Sequence, residues 1–541
     1  MHSRRARRRR RLRVNAAPTH DYDWVVVGSG FGGSVAALRL VEKGFRVAVI
    51  EQGRRYRDGD FARSAWQLPR MLWAPRIGLR GIMQLKRFRH VTVIAGVGVG
   101  GGSLVYANTL YVPHADDFYR HPQWAALADW QAELAPHYAE AQRMLGVVDY
   151  RGDGPSERAM RAVATRLGVA DSYRTTPVGV YFGEPGVTVP DPYFGGSGPP
   201  RTGCVRCGQC MLGCRYGAKN TLVKNYLWQA ERLGAEVMSE RVVVDVVPIG
   251  AADGSDGYSV TSERAGAVLR RRRRVTSAGG VVFAAGTLGT NTLLRRCRDR
   301  GSLPRLSERL GQLVRTNSEA ITAVTARSGD YVGEIAITAS IYPDAHTHVT
   351  NNTYGGAGDA FAFNFGPLTS GARRRRRPLL FVAELLRRPR TWLSPARVRG
   401  WSRRSIVLTT MQSRDASLRL VPRGRRGTLD TVAAGDEQPT AWLPVANRVA
   451  EAAAAQVEGI AQSAVTESLF NTPTTAHFLG GAVIGADPDT GVVDRDQQVF
   501  GYRNMVVCDG AAVPANVGVN PSLTIAALAE RCMSRIQSRR G

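Results

Sequence analysis

The feature that most constrains the fold is a glycine-rich turn between two apolar segments near the start of the chain. DWVVVGSG predicts a short buried strand, GGSVAALRLVEKG predicts a helix that ends at Gly44, and FRVAVIE predicts a second buried strand. A strand, a helix and a strand within about 30 residues form a βαβ unit, which requires a parallel sheet. The chain is therefore expected to contain an α/β domain.

The turn has the spacing of a dinucleotide-binding loop. Gly28-Ser29-Gly30-Phe31-Gly32-Gly33 leads into the helix, and Glu51 ends the second strand 23 residues after Gly28. Glycines at this spacing permit a tight turn, close approach of a pyrophosphate and close packing of helix on strand. The helix N-terminus offers free N–H groups to the phosphates, and the acid is placed to bind ribose hydroxyls. The residues allow NAD or FAD, and the N-terminal position of the loop favours FAD.

A second glycine run, AGVGVGGGSLVYANTLY from Ala95 to Tyr111, lets backbone N–H groups reach a flat ring or a phosphate. This run resembles the flavin-contacting loop of the glucose-methanol-choline (GMC) oxidoreductases. The resemblance recurs in VVFAAGTLGTNTLL, in HFLGGAVIG and in DGAAVPANVGVNPSLTIAALAER, and it spans residues 21–113, 201–294 and 474–532. The run TGCVRCGQCMLGCRYGAKNTLVKNYL is similar to the cholesterol oxidase branch of that family.

The resemblance implies an α/β fold with a Rossmann-like, discontinuous FAD-binding domain and a mixed α+β substrate-binding domain. We expect the FAD-binding domain to comprise residues 21–113, 215–315 and 475–541. The substrate-binding domain is then expected over residues 114–214 and 316–474, with a cysteine-cluster loop at 200–214. Residues 1–20 are expected to form a basic, disordered tail.

The resemblance also implies an activity, the FAD-dependent oxidation of a secondary alcohol. The leading hypothesis is conversion of a 3β-hydroxysteroid to its ketone with oxygen as acceptor, with or without movement of the steroid double bond. The alternative is a GMC-type dehydrogenase that passes electrons to another acceptor, through the cysteine cluster. In the family a His and an Asn face the flavin, and His477 and Asn520 match those positions. Their chemistry suits the reaction, because a neutral imidazole accepts a proton and an amide donates to the forming carbonyl.

The positions assigned to the cofactor come from the two glycine runs and from the matching blocks. They are Gly28, Gly30, Phe31, Gly32, Gly33, Glu51, Gly101, Gly102, Asn108, Val243, Asp509, Gly510 and Ser522. The resemblance puts Gly510 near the flavin and points the N-terminus of a helix starting at Pro521 toward the ring, where it would stabilise negative charge.

The chain departs from the family in one respect. Cholesterol oxidases also use a Glu of the substrate domain as a base that moves the steroid double bond. The corresponding region, GGAGDAFAFNFG, offers only Asp359, and Glu334 lies upstream and fits poorly. This puts the isomerisation in doubt.

Four cysteines form a cluster, Cys204-x2-Cys207-x2-Cys210-x3-Cys214. The spacing equals that of a [4Fe–4S] ferredoxin run, although Arg215 stands where Pro usually follows. A zinc site usually has two Cys-x2-Cys pairs farther apart. An iron–sulfur cluster, zinc, and plain packing or disulfides all stay open at this point.

The formal charge of +28 comes from 73 basic residues, only four of them Lys. Much of the excess lies in arginine runs at 1–13, 270–274 and 373–377, without any nucleic-acid-binding motif, so we expect no nucleic-acid partner. The arginines of residues 373–404 alternate with Trp and Leu, which suits either a solvated insertion or peripheral contact with a membrane. The N-terminus lacks the apolar segment of a signal peptide, which favours a cytoplasmic location. The oligomeric state is not predicted.

Overall fold

The computed structural model of the chain describes residues 20–267, 269–371, 376–392, 394, 397–424, 428–435 and 437–539. The predicted basic tail lies outside the described residues except for His20, and so does part of the 373–377 arginine run. The longer helices are α1 (Phe31–Glu42), α2 (Trp130–Leu145), α3 (Pro155–Arg166), α4 (Tyr226–Arg232), α5 (Gly286–Asp299), α6 (Arg377–Arg387), α7 (Pro444–Gln456) and α8 (Ser522–Ser534).

The strands of three or more residues are numbered in chain order. They are β1 (Tyr22–Val27), β2 (Val47–Ile50), β3 (Met83–Arg87), β4 (Thr92–Gly96), β5 (Glu236–Met238), β6 (Arg241–Pro248), β7 (Tyr258–Arg264), β8 (Arg274–Phe283), β9 (Ala320–Ala326), β10 (Ala339–Asp344), β11 (Thr347–Asn352), β12 (Phe365–Pro367), β13 (Ser405–Gln412), β14 (Ser417–Arg423), β15 (Thr428–Ala434), β16 (Gly459–Ala464) and β17 (Met505–Val507).

The first large sheet has the order β5-β2-β1-β8-β7-β6, with β17 paired to the end of β8. Strands β5, β2, β1, β8 and β17 run parallel to one another, whereas β7 pairs antiparallel with both β8 and β6. Strand β1 pairs with β2 and β8 on its two sides, which is why Val25 and Val26 are fully buried. The carboxyl ends of β1 and β17 lie at one edge of the sheet, the edge at which parallel sheets bind ligands.

Helix α1 forms where the sequence predicts it, because Ala36, Ala37, Leu40 and Val41 bury one side against the sheet. It packs against α4 and α8. Helix α8 carries Leu523, Ala526 and Ala527 into the same core. The two helices therefore start beside the same edge of the sheet.

The second large sheet is antiparallel, in the order β12-β16-β9-β13-β11-β10, and ends on a two-residue strand at Arg174–Thr175. One face packs on α3 and α7 around Val324, Ile341 and Leu408. Together the two sheets confirm the predicted fold class, a Rossmann-like α/β unit joined to a mixed α+β unit.

Helix α2 lies in the range assigned to the substrate-binding domain, yet it packs against α8 of the first sheet. The Tyr138 hydroxyl lies 3.0 Å from the hydroxyl oxygen of Thr524, and Trp130 belongs to the same core as β1. None of the helices in the described part of the chain combines the length and the apolar character needed to cross a bilayer.

Candidate active site

The first glycine loop turns sharply between β1 and α1. Gly28 has a φ of +102°, and a Cβ at Gly33 would lie 2.1 Å from the Gly28 carbonyl oxygen, so both positions require glycine. A Cβ at Gly30, in contrast, would meet no protein atom within 4 Å. No side chain caps α1, which leaves the N–H groups of its first turn free beside this open space. Open space and free N–H groups at a helix N-terminus fit a pyrophosphate.

Glu51 ties the end of β2 to the glycine loop. Its buried carboxylate accepts hydrogen bonds from the Ser29 N–H (3.1 Å), the Ser29 hydroxyl (2.8 Å) and the Gly53 N–H (2.8 Å). Burial raises the pKa of Glu51, and these donors oppose the rise. The Arg241 N–H donates to the Glu51 carbonyl oxygen, so β6, the strand that contains Val243, begins close to this acid. Contact of Glu51 with a ribose stays a prediction.

The second glycine run folds back onto the first loop. The Ser29 hydroxyl accepts from the Gly100 N–H at 3.1 Å, and a Cβ at Gly101 would lie 2.6 Å from the Gly30 Cα. Gly102 faces the ring of Phe31, the first residue of α1. The two loops form one cradle of backbone around the open side of Gly30.

Residues after β17 and before α8 complete the edge of this cradle. Asp509 is buried, accepts from the Ala511 N–H at 2.8 Å and from the Thr290 hydroxyl, and burial raises its pKa to about 6. The Gly510 carbonyl accepts from the Gly480 N–H at 2.8 Å, which brings the HFLGG segment to the same place. Ser522 opens α8, whose N-terminus also lacks a side-chain cap.

The structure brings His477 and Asn520 together from 43 positions apart. The distance from Nε2 of His477 to Nδ2 of Asn520 is 3.1 Å. Asn317 holds the approach to α8, since its Nδ2 donates to the Val519 carbonyl and its Oδ1 accepts from the Gly518 N–H, both at 2.8 Å. The Oδ1 atom of Asn520 is buried and has no protein partner, so it is free for a substrate.

Sequence reasoning missed Glu319, which stands behind His477. Its carboxylate contacts Nδ1 of His477 and accepts the Ala476 N–H at 2.8 Å, and the residue is 2% exposed. It sits in the unremarkable segment TNSEAI, so no motif distinguishes it from the other Glu residues. Only the folded structure sets this residue apart. Asn317 and Ser318, which precede it, both have positive φ, and this irregular backbone leads into β9.

The Glu319 contact decides how His477 can act. A carboxylate at Nδ1 holds the proton on that nitrogen and leaves Nε2 with its lone pair. Nε2 is then an acceptor, and the atom that faces it at 3.1 Å is Nδ2 of Asn520. Such a nitrogen can take the proton of an alcohol, and the carboxylate stabilises the imidazolium that forms.

The two acids considered for moving a double bond do not join this group. The Asp359 carboxylate accepts the backbone N–H groups of Gly400 (2.8 Å) and Ser402 (3.0 Å). Glu334 contacts Ser156, and burial, with a further contribution from nearby Glu157, raises its pKa to about 8. Neither acid contacts His477 or Asn520 among the hydrogen bonds of the described residues.

The four clustered cysteines are free thiols that line one cavity, beside Lys219. Asn108, assigned to the flavin by the sequence, also lies in the wall of this cavity, and its contact with the flavin stays a prediction. No group of three or more His, Cys, Asp or Glu side chains in the described ranges is arranged to hold a single metal ion.

Comparisons with known proteins point in one direction. The chain matches the GMC oxidoreductase family at residues 200–298 and 402–529, and an NAD(P)-binding Rossmann-like family at 26–56. It is 48% identical over 534 residues to a cholesterol oxidase of Mycobacterium tuberculosis (strain CDC 1551 / Oshkosh), covering 95% of this chain and 91% of that protein. It is 42% identical over 531 residues to a cholesterol oxidase of Acinetobacter baumannii, covering 96% and 95%. Pyridoxine 4-oxidase from Mesorbium loti superposes with a TM-score of 0.60 at 15% identity, over 96% of this chain and 100% of that chain, which concerns the fold alone.

Proposed function

The chain belongs to the GMC oxidoreductase family of FAD-dependent alcohol oxidoreductases, and we propose that it oxidises the 3β-hydroxyl group of a sterol to a ketone with oxygen as acceptor. The observation that supports the chemistry is the contact of His477 with Asn520 and Glu319 beside the cradle. The observation that supports the substrate class is the near-full-length identity to two proteins named cholesterol oxidase.

The cofactor would lie along the two glycine loops. Backbone N–H groups at the start of α1 would hold the pyrophosphate, and the N-terminus of α8 would face the flavin ring. When bound, FAD supplies the acceptor for the hydride of the carbinol carbon and returns the electron pair to oxygen as hydrogen peroxide. An iron–sulfur cluster in the same chain is a separate proposal, because this reaction needs only FAD and oxygen.

The chain's own residues would handle the proton and the orientation of the alcohol. Nε2 of His477 accepts the hydroxyl proton as the carbon loses its hydride, and Glu319 stabilises the resulting imidazolium. The Nδ2 group of Asn520 donates to the oxygen that becomes the carbonyl. Because Asn520 and His477 share that oxygen, they fix the direction in which the single hydrogen of the carbinol carbon points.

The test is a product balance with purified protein loaded with FAD. Under air, cholesterol should give ketone and hydrogen peroxide in equal amounts. Ketone that forms only with an added dye acceptor would instead assign the dehydrogenase alternative, and no turnover of any 3β-hydroxysteroid would exclude the substrate class.

The position of the steroid double bond in the product is a second readout. Because Glu334 and Asp359 are engaged elsewhere, the early product should keep its double bond at the original position. The ultraviolet spectrum of that product should then lack the absorbance of a conjugated enone.

We propose further that α6 contacts an anionic membrane surface, which would suit a lipid-like substrate. Its Phe381 is buried and anchors the helix, whereas Leu379 and Leu386 are 69% and 73% exposed beside Arg387 and Arg388. Exposed leucines next to arginines match the chemistry of an acidic lipid interface. The predicted cytoplasmic location would place this contact on an inner leaflet.

Co-sedimentation with vesicles tests the contact. The double variant Leu379→Asp, Leu386→Asp should bind phosphatidylserine vesicles at least about tenfold more weakly than the parent protein, because it removes apolar area and adds negative charge. Leu269→Asp is the control, since Leu269 is 92% exposed elsewhere on the surface. Equal binding by all three proteins, or equal binding to neutral phosphatidylcholine vesicles, would contradict the proposal.

A further inference from the structure

The cavity of the four cysteines is assembled from one loop and two neighbouring segments. Cys204, Cys207, Cys210 and Cys214 contribute their side chains, with Asn108 and Lys219 in the wall. The cavity is partly open to solvent. The proposed oxidation of an alcohol uses none of these groups.

An unpaired amide in the wall indicates a missing occupant. Asn108 is 0% exposed, and neither its amide nitrogen nor its amide oxygen makes a hydrogen bond of acceptable geometry with another protein group, although the amide lies beside Cys210. Its backbone is held in the left-handed region at φ +73°. A fully buried amide without partners is costly, so such groups normally face a ligand or an ordered water.

Lys219 places a positive charge against the same cavity. The residue is 2% exposed, and its ammonium donates to the carbonyl oxygens of Leu104 (3.0 Å), Tyr106 (2.8 Å) and Cys210 (2.8 Å). It has no carboxylate partner among the ion pairs of the described residues. A buried cation without a counter-charge is unfavourable, and thiolates around a metal centre would supply that charge.

The sulfurs are also surrounded by backbone donors. The Arg206 N–H donates to Sγ of Cys204 at 3.4 Å. The N–H groups of Gln209 and Ala336 face the sulfurs of Cys207 and Cys210. N–H donors to cysteine sulfur are among the features that tune iron–sulfur centres.

A cluster and a single ion place different demands on the four sulfurs. Four ligands to one zinc ion converge on a common point about 2.3 Å from each sulfur, and no such convergence exists among the described side chains. In a cubane each thiolate binds its own iron at a separate corner, so the sulfurs surround a space. We propose that Cys204, Cys207, Cys210 and Cys214 bind a [4Fe–4S] cluster, with Lys219 as its buried counter-charge and Asn108 as a hydrogen-bond donor to it.

The test uses full-length protein purified without oxygen and reconstituted with ferrous iron and sulfide. About four iron and four sulfide per chain are expected, with broad absorbance near ~400 nm beneath the flavin bands and an electron paramagnetic resonance signal after reduction. Cys207→Ser should lower the iron content, while the matched control Cys297→Ser, a buried cysteine outside the cavity, should not. FAD content shows that each variant is folded.

Two further results would decide against the cluster. One zinc per chain without iron would assign a single-ion site, and folded protein that takes up no metal would leave the thiols as packing. If the cluster is present, Lys219→Met should lower its reduction potential, because a nearby positive charge favours the reduced, more negative form. Peroxide formation with cholesterol, measured on the same samples, reports the proposed oxidase reaction separately, so one proposal can fail without the other.

Discussion

Replacing Glu319 by Gln keeps the size of the side chain behind His477 but removes its charge. Nδ1 of His477 keeps a neighbour, yet the imidazolium formed during oxidation loses its stabilising carboxylate. We expect the rate of flavin reduction by substrate to fall about tenfold to a hundredfold, with FAD affinity and KM little changed. Stopped-flow absorbance at the flavin band measures this rate.

The control for that variant is Glu467→Gln. Glu467 is also buried, accepts the Ile321 N–H at 3.0 Å, and has its pKa raised well above the usual range by burial, with Glu319 adding to the rise. A buried carboxyl whose pKa is raised resembles Gln more closely than an ionised one does, so this variant should reduce its flavin at the parental rate. If both variants slow equally, Glu319 has only a structural role.

His477→Gln should keep the flavin and lower turnover by about 10²–10⁴, the span typical of a general base. Asn520→Ala should act in the same direction. Because the two side chains contact each other and would bind the same substrate oxygen in the proposed reaction, the double variant should lose less than the product of the two single effects. His346→Gln, a substitution of a half-exposed histidine paired with Asp117, should be silent in the same assay. Retained turnover in His477→Gln would remove His477 from the proton transfer.

At the level of single residues, the sequence allowed only part of the candidate site to be predicted. His477 and Asn520 could be assigned because each lies in a short motif that resembles the family. Glu319 could not, because its role depends on a contact across 158 positions that only the folded chain creates. The contact of Asn108 with the flavin, assigned from its place in a glycine run, stays a prediction, and the residue also lines the cysteine cavity.

The N-terminus of α1 offers a matched pair of glycine substitutions. A Cβ at Gly30 meets no protein atom within 4 Å, so Gly30→Ala should fold with an unchanged Tm in the absence of FAD. The methyl group would occupy the space proposed for the pyrophosphate, so FAD affinity should fall at least about tenfold, or about 1.4 kcal/mol. Gly33→Ala forces its Cβ to 2.1 Å from the Gly28 carbonyl and should destabilise the fold itself. Titration calorimetry and thermal unfolding of the apo-protein separate the two effects.

Elements were predictable where hydropathy had a clear pattern. Residues 24–27 of β1 and all of β2 are continuous apolar runs, and α1 carries apolar residues at helical spacing. Strand β11 has the sequence THVTNN, and all six residues are buried although five of them are polar. Partner strands on both sides satisfy its backbone, while Asn351 donates to Ser156 of α3 and His348 packs against Tyr111. No alternation of polar and apolar residues exists there to reveal the strand in the sequence.

At the scale of the whole molecule, the sheets recombine distant parts of the chain. Strand β17 at Met505–Val507 pairs with the end of β8, more than 200 residues earlier. The strand-like segments at both ends of the sequence predicted such a discontinuous sheet. The second sheet was harder to predict from the sequence. In residues 316–460 short strands alternate with arginine-rich loops, and α6 lies between β12 and β13.

Glu334 should make the stability of the whole protein depend on pH. It is buried between α3 and the second sheet, contacts Ser156, and has a pKa raised from 4.5 to about 8 mainly by burial. A folded-state pKa above the unfolded value gives stability that is full below pH ~4.5 and is lost as pH rises toward ~8, because the unfolded chain releases its proton first. Tm should therefore fall by about 1–3 °C per pH unit across this window from this group alone.

The variant Glu334→Gln tests this dependence, because its side chain cannot ionise. Its Tm, measured by scanning calorimetry, should decline less steeply between pH 5 and 8 than that of the parent protein. Parallel Tm profiles for the two proteins would show that Glu334 is already ionised in the fold, with its charge stabilised by the surrounding donors.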